Sequence, residues 1–107
     1  MKQVIFLGNS YRRICEFPSD AKRETGFQIH YVQSGVNPDD WKPMPSIGLG
    51  VKEIRIHLNN EYRIIYTANY HNTVYVLHAF VKKMQKMSKK DLQIAKHYFN
   101  EIKRLER

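Results

Sequence analysis

Between Val51 and Lys83 three β-prone segments carry polar or charged side chains at alternating positions, and the stretch then ends in a cluster of lysines. At a period of two, Ile54, Ile56 and Leu58 fall on one side of a strand and Glu53, Arg55 and His57 on the other. The apolar side predicts a core-facing surface. Asn59-Asn60, whose side chains tolerate left-handed backbone, predicts a tight hairpin into a second strand over Tyr62 to Tyr66. A third strand, Thr73 to Phe80, follows the polar Asn69 to Asn72 turn. Five lysines then occupy the nine positions from Lys82 to Lys90. This pattern constrains the chain to a sheet with one apolar face, one working face and a cationic edge.

The 107 residues suit a single domain, 1–107, and a hydrophobic content of 42% supplies one modest core. The formal net charge of +8 is unevenly spread. Residues 1–50 hold six Lys/Arg against five Asp/Glu, and residues 51–107 hold twelve against five. Such asymmetry favours a polyanionic partner, nucleic acid first, because every cation paired with a phosphate releases condensed counterions. An acidic protein would also satisfy it. The lone Cys15 excludes an internal disulfide framework and a Cys-rich zinc site. The apolar run Val4 to Leu7 is too short for a signal peptide, and no stretch approaches a membrane span, so a soluble, cytoplasmic protein is expected.

Val4 to Leu7 reads as a short strand, followed by a brief helix from Ser10 to Phe17. Ser19 is a capable N-cap for a helix of about fifteen residues, with Ala21, Thr25, Ile29 and Val32 on one face until Gly35. Gly26 inside it implies close packing or a bend. Gly35 to Gly50 reads as an irregular connection anchored by Trp41. Gly48-Leu49-Gly50 precedes a strand instead of opening a helix, which fails the condition for a phosphate loop. Ser88, with Asp91 three residues on, caps a last amphipathic helix whose apolar face is Leu92, Ala95, Phe99 and Ile102. The expected fold class is α+β: N-terminal helices packed on a mainly antiparallel sheet, plus a C-terminal helix.

The segments Val51-Lys52-Glu53-Ile54-Arg55, Glu61-Tyr62-Arg63-Ile64-Ile65-Tyr66 and Val76-Leu77-His78-Ala79-Phe80-Val81-Lys82-Lys83 resemble the HigB-like, phage-derived branch of the RelE/ParE toxin superfamily. The similarity extends upstream through Phe17-Pro18, Gly26, Gln33-Ser34-Gly35 and Trp41-Lys42-Pro43, and downstream to Ala95. It implies a toxin of a type II toxin–antitoxin pair, usually a ribosome-dependent endoribonuclease that cuts translated mRNA without a cofactor. It also implies a cognate antitoxin, typically of helix-turn-helix type, in a toxin–antitoxin hetero-oligomer. The rivals are a ParE-like poison of DNA gyrase and a phage-encoded binding protein with no chemistry.

RNA cleavage through the 2′-hydroxyl needs a group to remove that proton, cations for the crowded phosphorane and an acid for the leaving oxygen. Arg63 matches the arginine that contacts the scissile phosphate in RelE-like toxins, and its fork can hold two phosphate oxygens. A cross-strand ion pair with Glu53 is its competing role. Arg55 aligns with the basic residue of the preceding strand, and Lys82 and Lys83 match the paired basic residues that end the next one. His78 is a candidate general base by its ordinary pKa of about 6.5, or else a hydrogen-bonded histidine of the sheet. His57 is a weaker candidate. RelE carries a catalytic tyrosine after the basic pair where this chain has Met84-Gln85-Lys86-Met87-Ser88, so its acid–base assignment does not transfer. Lys86, Lys89 and Lys90 are expected to attract RNA, and Tyr62 to stack on a base. The histidines show no paired ligand spacing, so no metal site is expected.

Overall fold

The alternating segments form the centre of a five-stranded sheet in the computed structural model, which describes residues 1–105. In chain order the elements are β1 (Gln3–Phe6), α1 (Ser10–Cys15), α2 (Ser19–Gln33), β2 (Trp41–Pro43), β3 (Val51–Leu58), β4 (Asn60–Tyr70), β5 (Thr73–Lys82) and α3 (Lys89–Leu105). The strand order is β1-β5-β4-β3-β2, with β1 parallel to β5 and every other pair antiparallel. Asn59 turns β3 into β4 at φ 45°, and His71 and Asn72 turn β4 into β5 at φ 53° and 51°. Two consecutive left-handed residues are what a tight hairpin between right-twisted strands requires. β2 lies where the sequence predicts irregular chain. It is a three-residue edge strand containing Pro43, and an edge is where a sheet accommodates a residue without an N–H.

Both faces of the sheet are covered. On one side Ile14, Phe17, Ala21, Ile29 and Val32 of the α1–α2 segment pack on Ile54, Ile56, Ile64, Tyr66 and Val76. On the other, Ala95, Phe99 and Ile102 of α3 pack on Val51, Ile65, Leu77 and Phe80, with Met44 and Ile47 from the loop after β2. The expected open working face is therefore half occupied by a second core.

Two glycines seat α3. A Cβ at Gly48 would lie 2.0 Å from the Phe99 ring, and one at Gly8, where φ is +54°, 2.5 Å from the Tyr98 ring. The segment that superficially suggests a phosphate loop is thus a platform for an aromatic side chain. Gly26 is the opposite case: a Cβ there meets nothing within 4 Å, so it does not serve close packing. Ser19 is the first residue of α2 and not its cap. Pro18 takes the cap position with ψ 156° and without a side-chain hydrogen bond, and the Asp20 carboxylate accepts from the Ala21 N–H.

Candidate functional site

Register places Glu53, Arg55, His57, Glu61 and Arg63 on the α3 side of the sheet, while Lys52 shares the parity of Ile54 and lies on the opposite face. Arg55 stands opposite Arg63, Arg63 is flanked on β5 by Phe80, and Glu61 stands opposite Lys82. Two facing guanidinium groups repel, and Glu53, the next residue of β3 on that face, is the compensating anion. Arg63 is deeply buried: its side chain is 3% exposed, and that of Glu53 4%. Arg63 Nε lies 3.7 Å from Glu53 Oε1, Nη2 donates to Glu61 Oε1 at 3.1 Å, and Nη1 donates to the Tyr62 carbonyl at 3.0 Å. The ion pair with Glu53 anticipated as the competing role is thus present, and the guanidinium is engaged inside the protein. Glu61 Oε1 also meets Nδ1 of His57 at 2.6 Å, while His57 Nε2 meets Asp40 Oδ2 at 2.6 Å. An imidazole with a carboxylate on each nitrogen is best satisfied when both nitrogens donate. Asp40 first and Glu61 second accordingly raise the His57 pKa above its ordinary value, and the Arg63 hydrogen bond is the main cause that lowers that of Glu61.

His78 reaches the α3 side through a β-bulge. Ile65 pairs with His78 but Tyr66 with Val76, so β5 carries one extra residue and the alternation of its side chains shifts. The His78 ring is 1% exposed and stacks on Phe80 with centroids 5.4 Å apart. Its Nε2 lies 2.7 Å from Asp91 Oδ1; the other carboxylate oxygen accepts from the Ser88 hydroxyl at 2.7 Å, and that hydroxyl accepts the Asp91 N–H at 3.0 Å. The cap of α3 therefore also orients the carboxylate that holds His78. Burial pushes the His78 pKa below its ordinary value, with Arg13 acting in the same direction and Asp91 against it. In the neutral tautomer that donates from Nε2 to Asp91 Oδ1, the lone pair of His78 lies on Nδ1.

Two concavities flank this pair. Lys82, Lys83 and Lys86 line one of about 140 Å³ together with Ser88 and Asp91. His78 itself lines the other, of about 310 Å³, between α1 and α3, with Arg13, Lys90, His97 and Tyr98. The site residues expected from the sequence are thus divided. Arg63 belongs to a buried charge network, whereas the half-buried Arg55 has no ion pair among the described residues and lines a separate concavity with Asp40 and His57; Lys82, Lys83 and Lys86 belong to the lysine concavity, and His78 and Lys90 to the larger cavity. Lys89 is exposed and lines neither concavity. Tyr62 requires a correction: it shares the parity of Ile64, lies on the opposite face, and packs against Phe17 at 4.8 Å with 2% exposure. A ring in that position presents no face to a base. Sequence reasoning overlooked Arg13, His97 and Tyr98 as site residues, and saw Asp91 only as part of a cap. Lys90, Ile94 and His97 share a helical stripe beside the core-facing one, a signal available from spacing alone.

Among the described residues no three His, Cys, Asp or Glu side chains gather as a metal site, and no helix is long and apolar enough to cross a membrane. A search of curated proteins returned no match. The family model for phage-derived Gp49-like proteins (DUF891) matches residues 12–100, which include all five strands but β1 and most of α3. The chain therefore belongs to the phage-derived Gp49-like family, a RelE-like toxin family of toxin–antitoxin systems.

Proposed function

We propose that this protein is the HigB-like toxin of a type II toxin–antitoxin pair and that it cleaves mRNA on the ribosome. The observation that carries this reading is the His78–Asp91 pair, 2.7 Å apart: His78, although 1% exposed, lines the cavity that holds Arg13 and Lys90, and Asp91 lines that of Lys82, Lys83 and Lys86. In the proposed reaction the unprotonated nitrogen of His78 takes the proton of a 2′-hydroxyl. The 2′-oxygen forms its bond to phosphorus as the bond to the 5′-oxygen breaks, and a lysine ammonium supplies the proton to that leaving oxygen. Arg13 and Lys90, which share the cavity with His78, stabilise the charge of the phosphorane. Lys82, Lys83 and Lys86 draw the RNA backbone in through long-range attraction. The antitoxin, of helix-turn-helix type, silences the protein by covering this basic surface.

Brief induction in bacteria, followed by mapping of mRNA ends, tests the proposal. New ends should arise within coding regions and vanish when initiation is blocked, and His78→Gln should abolish them while Asp91→Asn reduces them. Early loss of DNA supercoiling with intact mRNA would replace the proposal by gyrase poisoning, and equal cutting of naked RNA would remove the ribosome from it.

A further inference from the structure

The cavity between α1 and α3 has features that proton transfer by His78 does not require. At about 310 Å³ it lies at the lower edge of the range of small-ligand pockets, about 300–1,000 Å³, room for one nucleotide and no duplex. Arg13 and Lys90 both line it, and neither has an ion pair among the described residues. The nearby acid, Asp91, is already engaged by His78 and Ser88. Lys90 also lies in the first turn of α3, where a cation opposes the helix dipole, so local helix stability does not explain it. The walls are aromatic: Tyr98 is fixed against Gly8, and the exposed His97 stands edge-on to it at 4.8 Å. Ile94 adds an aliphatic side chain and Asn9 and Gln93 add amides, and Asn9, although at the N-cap position of α1, makes no side-chain cap bond. Paired cations, an open imidazole face and free amides are the three elements that bind a phosphate, stack a base and read its edge.

We infer that this cavity is a specificity subsite for a single unpaired ribonucleotide, with its phosphate between Arg13 and Lys90 and its base against His97 and Tyr98. The nuclease reading supplies the source of the ligand, the mRNA nucleotide next to the cut, and in that respect the inference rests on it. The consequence is a base preference at the cleavage site, set by the amides of Asn9 and Gln93.

Titrating the full chain with the four 3′-nucleoside monophosphates, with inorganic phosphate and with nucleosides, followed by NMR, tests binding without turnover. At least one nucleotide should bind about tenfold more tightly than phosphate, and Arg13→Ala or Lys90→Ala should each weaken it about tenfold, the size of one charge-assisted hydrogen bond. Arg13→Lys should fall between, and His97→Ala should remove the advantage of the nucleotide while leaving phosphate binding in place. Nucleotides that bind no better than phosphate, or binding indifferent to Arg13, Lys90 and His97, would overturn the subsite. Cleavage of mRNA without such binding defeats this inference alone. Binding without cleavage upholds the subsite and defeats the nuclease reading alone.

Discussion

Arg63→Ala should unfold much of the protein's margin of stability before it reveals anything about catalysis. The substitution leaves the Glu53 carboxylate, 4% exposed, without its guanidinium 3.7 Å away, and strips the Tyr62 carbonyl of its Nη1 donor. Breaking a buried pair from one side typically costs about 3–5 kcal/mol, because the surviving charge remains out of water. The contact with Glu61 lies at the surface and adds little. Against a total of about 5–15 kcal/mol for a domain, this is a large fraction. With a urea m-value of about 1–3 kcal/mol/M the unfolding midpoint should fall by at least about 1 M. Glu53→Met combined with Arg63→Met, which removes both charges, should recover most of the loss. Equilibrium urea unfolding of the three proteins by circular dichroism measures this. A single variant within about 1 kcal/mol of the parent, or a double variant no better than the single, would refute the buried pair as the reason for Arg63.

Gly26→Ala should stabilise the protein by about 0.5–1 kcal/mol, since the new methyl meets open space in a helix of ordinary backbone; a lowered melting temperature would contradict that. Gly48→Ala should destabilise by about 1–3 kcal/mol through collision with the Phe99 ring, read by the same melt, and an unchanged transition would show that α3 shifts freely. The two histidines should titrate in opposite directions about 6.5 in an NMR pH series, His57 remaining charged above that value and His78 neutral below it. By linkage, the stability due to His57 is present below 6.5 and lost as pH rises through its folded pKa, whereas that due to His78 is present above 6.5 and lost as pH falls through its own. Coincident titration at 6.5 would remove the assigned role of the two carboxylates at His57 and of burial at His78.

The central strands were legible because Ile54, Ile56 and Leu58 alternate cleanly with Glu53, Arg55 and His57, and nothing in β3 interrupts that period. The same rule, carried one strand further, would have placed Tyr62 with Ile64 in the core and away from the cations. β5 was less legible for a physical reason: the bulge near Leu77 moves His78 to the α3 side, and a bulge without glycine leaves no mark in composition. β2 escaped because three residues with a proline carry no periodic signal. The helix capped by Ser88 was readable, but its Asp91 serves the cap and His78 together, and a local motif says nothing about a side chain thirteen positions away. The same limit hid the cavity, which joins Arg13 of α1 to His97 of α3.

The parallel pairing of β1 with β5 bears on how the chain comes to be folded. Gln3 meets Thr73, 70 positions later, while β3, β4 and β5 are joined by tight hairpins that close locally. Contacts so distant in sequence form late, after the entropy of closing the loop is overcome by other contacts. During synthesis at about 5–20 residues per second, β1 waits roughly 4–14 seconds for its partner. His78 and Asp91 emerge later still. A nascent chain therefore has no assembled site until Asp91 has followed His78 out of the ribosome, and any activity that depends on the pair is withheld through all of the synthesis that precedes it.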